Sequence, residues 1–411
     1  MIRTGFSSIV LLGLVPTAAL LPQDAQAAGL LSQISHHAGL WAFAVCAGLC
    51  LREVGLVRRE NAIGADIQCL SVFLVSSLAF GALGFSLATS ADQPNALWHG
   101  VIGSFGAAAA RSGFARSGAL TVAVAALAAQ AVSGALAERV RLLPLLIFAA
   151  LFASLLFPIT LSWQSGWLAR AGFVDYAGAT FIHCAAGSAA LAGVIVLGAR
   201  IGRFDPTHKL EGREHHSFVL AGLGTLLVLI GWQGLVTGLL STLPISLTSR
   251  SLSHVLAVLN VAAATGAIIA LAGGFIWHRP RVLTIAFNGL VAGLVAISAD
   301  PAHPSLGVAI LIGGVAGALA ALVPLLLEQI RLDDVTGAIP THLCAGIWGT
   351  VAVLFSTPGA HLLTQIVGTA AVVGVTFVAA FVLFFVLQIL LGLRKEAERA
   401  RPAARVSSSA S

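Results

Sequence analysis

Long uncharged apolar runs, broken by short polar stretches, fill almost the whole chain. About 20 apolar residues carry a helix across a bilayer. Runs of that kind lie near 33–51, 69–89, 118–137, 143–161, 177–199, 217–241, 254–276, 282–299, 307–327, 339–355 and 362–393. The pattern predicts an all-α polytopic membrane protein with eleven transmembrane helices. Gly and Ala crowd the runs, as in Gly266/Gly273/Gly274 and Gly313/Gly314/Gly317, and small residues let membrane helices pack closely. The last run is too long to stand upright. Its ~30 residues make a rod of ~45 Å against a hydrocarbon thickness of ~30 Å, so it is expected to tilt or to project as a stalk.

Before the first run stands a segment of a different kind. Arg3, an apolar stretch over 9–21 broken by Pro16, and the small-residue site Ala25-Gln26-Ala27 read as a secretory signal peptide over 1–27, with an uncleaved first helix as the alternative. The transmembrane domain then covers 28–393. A tail over 394–411, basic and then rich in Ser and Ala, is expected to be flexible.

Composition narrows the class. The 411 residues are 58% hydrophobic and 9% charged, with mean hydropathy +0.97, whereas soluble domains carry about a quarter charged residues. No large soluble domain fits in such a chain. A pI near 9.6 does not here signal nucleic-acid binding, because the position of the cations carries their meaning. If the chain starts outside and alternates eleven times, 17 Lys and Arg fall inside, among them Arg52, Arg58, Arg139 and Arg200. Four fall outside (Arg111, Arg116, Arg170 and Arg250), and Arg3 belongs to the signal. The positive-inside rule then gives an inner-membrane protein with its N-terminus outside and its C-terminus in the cytoplasm. Cys46, Cys50, Cys69, Cys184 and Cys344 all sit within runs, match no zinc spacing, and read as small apolar packing residues. No nucleophile–base set, metal site or nucleotide loop stands out, so neither an enzyme nor a cofactor is expected.

Two runs stand out for what they contain. His183 and His342 each lie in a run free of Asp, Glu, Lys and Arg, and each opens a similar string, HCAAG at 183–187 and HLCAG at 342–346. An ionisable side chain inside a span is costly and marks a transport path by default. The alternative is that each ring merely bonds a helix carbonyl. The fifth and tenth runs face opposite ways in the membrane. The first ten helices can therefore form two inverted five-helix repeats with a long helix 11 added, a recurrent transporter design.

Other polar residues near these runs have competing readings. Asp175, eight residues before His183, can cap the start of the fifth helix or draw cations to an outer vestibule. Trp163 can anchor the interface or bind a small cation on its indole face. Glu138-Arg139, ending the third run, reads as an ion pair at the membrane border. His208, His215 and His216 read as residues of a solvated loop.

The strings GLVRRENA (55–62), SGALAERVR (133–141), DYAG (175–178) with His183 beyond it, IGW (230–232), NGLVAGLVAI (288–297) and DD (333–334) before His342 resemble the ammonium transporter family, Amt/Mep with the related Rh proteins, over nearly the whole length. The resemblance implies eleven helices in two inverted halves, a pore in each monomer and assembly as a homotrimer. His183 and His342 match the family's twin pore histidines, Asp175 its structural acid, and Trp163 the aromatic that receives ammonium by cation–π contact. Val124 and Leu235 stand where the family has two pore Phe residues, Leu239 where a Ser binds the cation, and Val236 where an Asn stands. Arg52-Glu53-Val54-Gly55 replaces FYGG, and Gly337 replaces an acid. The tail begins with the GLR of a motif read by PII-type signalling proteins, but lacks the acidic, Gly- and His-containing pattern that follows it.

The leading reading is passage of ammonium or ammonia, with deprotonation at the outer side and ammonia moving along the histidine pair. Two others stand beside it: a non-conducting or weakly conducting ammonium sensor on the same scaffold, and an Rh-like channel for another small neutral gas such as CO2. The orientation is directly testable. Of two reporters fused after Ala400, one active only in the cytoplasm should work, and one active only outside it should be silent.

Overall fold

The computed structural model describes residues 37–89, 112–204, 216–243 and 249–395. The signal segment 1–27, His208, His215 and residues 396–411 lie outside them. Among the described residues there are eleven apolar helices. They are α1 (Ala38–Leu56), α2 (Arg59–Ala88), α3 (Ser112–Ala135), α4 (Leu142–Leu151, continuing through Phe157–Ser162), α5 (Ala179–Leu197), α6 (Phe218–Ser241), α7 (Ser249–Trp277), α8 (Val282–Ile297), α9 (Leu306–Gln329), α10 (Ile339–Phe355) and α11 (Leu362–Leu390). Ten are long and apolar enough to cross a membrane, and α10 is the shorter one. The chain is a multi-pass membrane protein.

Each helix divides its surface between the interior and an apolar outer face. α2 exposes Ile63, Ile67, Leu70, Leu74 and Leu78 while burying Ala65, Gln68, Cys69 and Val72. α11 buries a stripe at Gln365, Gly368, Thr369, Val372, Thr376, Ala380, Phe384 and Leu387, the spacing of one helical face, and lays it along α5. In water such outer faces would be costly. In lipid they are the solvated side.

Helices α5 and α10 cross at the centre and run in opposite directions, for Thr180 meets Thr350 while Gly187 meets Leu343. The crossing is close because of the glycine that ends each matched string. A Cβ on Gly187 would lie 2.4 Å from the Leu343 nitrogen, and one on Gly346 would lie 2.5 Å from the Ala179 carbonyl. Both helices open with a π-helical turn, Ala179–Cys184 and Ile339–Cys344, a feature frequent at functional sites.

The charges gather at one end of the bundle. Glu138 and Arg139 do not pair with each other. The Glu138 carboxylate takes Arg58 at 2.6 Å and Arg200 at 3.1 Å, while Arg139 donates to the carbonyls of Gly198 and Asp333. Asp333 in turn receives Arg200 in two bonds, at 2.8 and 2.9 Å. Glu138 holds a left-handed φ of 71°, which costs about 1–3 kcal/mol and aims its carboxylate at both cations. Arg394 and Lys395 are docked rather than loose. Arg394 Nη2 donates to the Leu197 and Ala199 carbonyls, and the Lys395 N–H donates to Arg139 O.

Two expectations about cysteine and arginine need correction. Cys50 and Cys69 are paired as a disulfide between α1 and α2, because the turn between these helices folds them side by side at that level. Arg52, counted above among the cations that fall inside, just past the run 33–51, lies within α1 and is buried, since the helix extends to Leu56.

Burial works against the charge of Asp333, but Arg200 and Arg139 outweigh it and hold the carboxyl well below the usual carboxylate range. Its contribution to stability is therefore full above the unfolded value of about 4 and fades as pH falls below that. Asp333→Asn, which leaves buried cations unpaired, should lower stability by about 3–5 kcal/mol and flatten the acid limb of the curve. Thermal unfolding in detergent between neutral pH and pH ~3 checks both.

Candidate functional site

The start of α5 is built by Asp175. Its buried carboxylate accepts the N–H groups of Gly178, Ala179, Thr180 and Phe181 at 2.8–2.9 Å, so the capping role is the one its geometry performs. Asp334 does the same for α10, taking Gly337, Ala338 and Ile339. Each acid is followed three residues later by a glycine at positive φ, 91° at Gly178 and 77° at Gly337. Eight residues after each acid comes a histidine. Gly337, noted above as standing where the family has an acid, is thus the turn residue of the second cap, and a Cβ there would lie 2.1 Å from Asn288 Nδ2.

These matched frames bring the two imidazoles together. His183 and His342 stack with ring centroids 5.1 Å apart and planes 18° apart, and their Nδ1 atoms lie at 3.2 Å. Both are buried. Two ring nitrogens at that distance need one proton between them, so one Nδ1 donates and the other accepts. The outer nitrogens then differ: one Nε2 is an acceptor and the other an N–H donor. Shifting the shared proton, with tautomer exchange, reverses the polarity of the pair.

A third ring completes the stack. Trp232 of α6 lies against His183 at 5.0 Å and 14°, and its Nε1–H donates to Ser298 Oγ at 3.1 Å. In the sequence Trp232 stands within IGW, and its one distinguishing mark is its place deep in an apolar run. Ser298 and Ala299, at the end of α8, also accept from the backbone N–H groups of Ala177 and Tyr176. One short segment thus holds both the tryptophan and the turn before α5.

The remaining expected residues fall in separate places. Val124 of α3 and Leu235 of α6 are each 2% exposed within the main apolar core. Leu235 follows Trp232 by three residues, close to the next turn of the same face. Trp163 ends α4, half-buried, with its ring edge-on to Trp167 at 5.8 Å. That end of the bundle also holds Asp175 through Gln164, whose side chain donates to the Asp175 carbonyl. At the charged end a cleft is lined by Leu56, Asn288, Gly337, Pro340 and the paired Arg200 and Asp333. Among the described residues no group of three His, Cys, Asp or Glu is arranged to hold a metal.

Removing the first cap tests how far the site depends on it. Asp175→Ala strands four N–H donors, each costing ~1–3 kcal/mol when buried and unpaired, whereas Asp175→Asn keeps one acceptor oxygen. Unfolding temperatures in detergent should fall in the order wild type, Asn variant, Ala variant.

The model of the Ammonium Transporter Family matches residues 36–404. Ammonium transporter Amt2 of Archaeoglobus fulgidus is 31% identical over 388 residues, 86% of this chain and 81% of that protein. A Synechocystis relative is 37% identical over 273 residues, and that match spans 65% of this chain and 62% of the relative. Among solved structures, a Sensor Amt Protein superposes with a TM-score of 0.77 at 26% identity, covering 92% of this chain and 98% of that one. Mep2 of Saccharomyces cerevisiae shares the fold at 21% identity, with a TM-score of 0.73 over 89% and 87% of the two chains. With the family match running through both caps, both histidines and the charged end, the chain belongs to the Ammonium Transporter Family.

Proposed function

We propose that each copy of this chain passes ammonia across the membrane along the His183–His342 pair. The observation that carries this reading is the 3.2 Å contact between two buried ring nitrogens on the crossing helices α5 and α10. Ammonium arrives on the side of Trp163, whose indole face attracts a small cation. There it gives up its proton to the water outside, because an apolar throat offers nothing to replace the ion's own water. The neutral base then moves along the imidazoles, accepting from the Nε2–H of one ring and donating to the bare Nε2 of the other. Val124 and Leu235 set a wider throat than two Phe rings would. The positive-inside count puts the charged end in the cytoplasm and the Trp163 end outside, in the inner membrane. The signal peptide is removed at residue 27, and the domain over 28–393 assembles as a homotrimer, for which the exposed apolar faces leave ample surface.

A second reading is favoured by one comparison. The structure similar to this chain at 26% identity bears the name Sensor Amt Protein. Under that reading Val124 and Leu235 seal the throat, and ammonium is bound near Trp163 without crossing.

Flux separates the two. Folded protein in proteoliposomes should move ammonia and methylamine above the rate of empty vesicles, read as internal pH. Val124→Phe with Leu235→Phe should cut methylamine flux at least tenfold relative to ammonia. Ammonium binding with no flux of either compound would replace the conduction reading with the sensor one.

A further inference from the structure

The mechanism above leaves the buried charge of Arg52 unused. Arg52 is 4% exposed on α1. Its Nη2 donates to Asn288 Oδ1 on α8 and, at 3.2 Å, to the Thr336 carbonyl ahead of α10. Both acceptors are neutral oxygens, and the Nε–H is buried with no partner. The opposite charges that act on this guanidinium are Asp334 and Glu53, and both are engaged elsewhere. Asp334 caps α10. Glu53, the next residue on α1, turns toward Gln68 and Gly134, as neighbours on a helix do not share a face. A charged side chain held this way inside a span is a functional site by default.

Its position says which function. Leu56 lines the cleft at the charged end, and Arg52 lies one turn deeper on the same face of α1. Asn288, its hydrogen-bond partner, lines that cleft too, as does Pro340, two residues before His342. The Thr336 carbonyl, its other partner, lies six residues before His342. The guanidinium therefore ties the cleft wall at Asn288 to the segment that leads into His342.

We propose that Arg52 is the specificity-determining residue of the route on that side of the histidines, a fixed positive charge that turns back cations and passes only neutral base. This rests on the conduction reading. Guanidinium has donors and no acceptor. Ammonium has four N–H groups and no lone pair, so it meets repulsion and no hydrogen bond. Ammonia or a primary amine has a lone pair for the free Nε–H and no charge to repel. No bond is made or broken in this step, and the base leaves as it entered.

The test compares charge with flux in one preparation. Proteoliposomes receive pulses of ammonium chloride and of methylammonium chloride. Internal alkalinisation reports neutral flux, and current on a solid-supported membrane reports charge. Wild type should alkalinise the lumen while moving less than about one charge per ten ammonia molecules. Arg52→Gln should raise that ratio at least tenfold, and Arg52→Lys should leave it as in wild type. A wild-type ratio near one charge per ammonia overturns the proposal whatever the variants do, including a variant that fails to fold. So does a folded Arg52→Gln protein that keeps its flux with a ratio within twofold of wild type, and in both cases conduction itself stands. No alkalinisation by wild type removes the conduction reading, and this proposal with it.

Discussion

The close crossing of α5 and α10 is the constraint on which the rest of the structure depends. Two helices with ordinary side chains at their contact lie about 8–10 Å apart, and these two come closer. Gly187 and Gly346 remove the side chains at the crossing, and each backbone comes within contact of the other. The histidines four residues before these glycines then meet across the gap. The Thr180–Thr350 hydroxyl contact and the Trp232 stack both lie around this crossing. Any side chain placed at either glycine would separate the helices and, with them, the two rings.

The charged end is held by a different physics. Ion pairs at a surface contribute little because water competes for them. Here Glu138 and Asp333 are nearly sealed, and between them they share Arg58, Arg139 and Arg200. The arrangement ties the turn after α3 to the ends of α5 and α9. A chain with only 9% charged residues commits many of them to this one end, where leaving any buried charge without its partner is costly.

Much of this was legible in the sequence, for identifiable reasons. Membrane spans have a length set by the bilayer, so uncharged runs mark them. A histidine in such a run stands out because nothing around it is polar, and the repeated HxxAG strings tie the two together through the glycine the crossing requires. What escaped the reading was contact between distant residues. Trp232 looks like any apolar-run tryptophan until α6 is placed beside α5. Cys50 and Cys69 meet only because α1 and α2 fold back on each other. Glu138 and Arg139 are adjacent in sequence, and that adjacency misled, since consecutive residues point to different sides. An uncharged run ends at its first charge, Arg52, while the helix itself continues to Leu56.

Helix α5 is moored at both ends. Asp175 grips four amides at its start. At its finish Arg394 holds the carbonyls of Leu197 and Ala199, and Arg139 holds that of Gly198. A helix free to slide along its neighbour by a single residue would shift by about 1.5 Å, enough to carry a 3.2 Å ring contact out of hydrogen-bonding range. Moored in this way, α5 keeps its register against α10 even if the surrounding lipid thins or thickens. The docked start of the tail therefore belongs to the same mechanical frame as the histidine, some four helical turns away along α5.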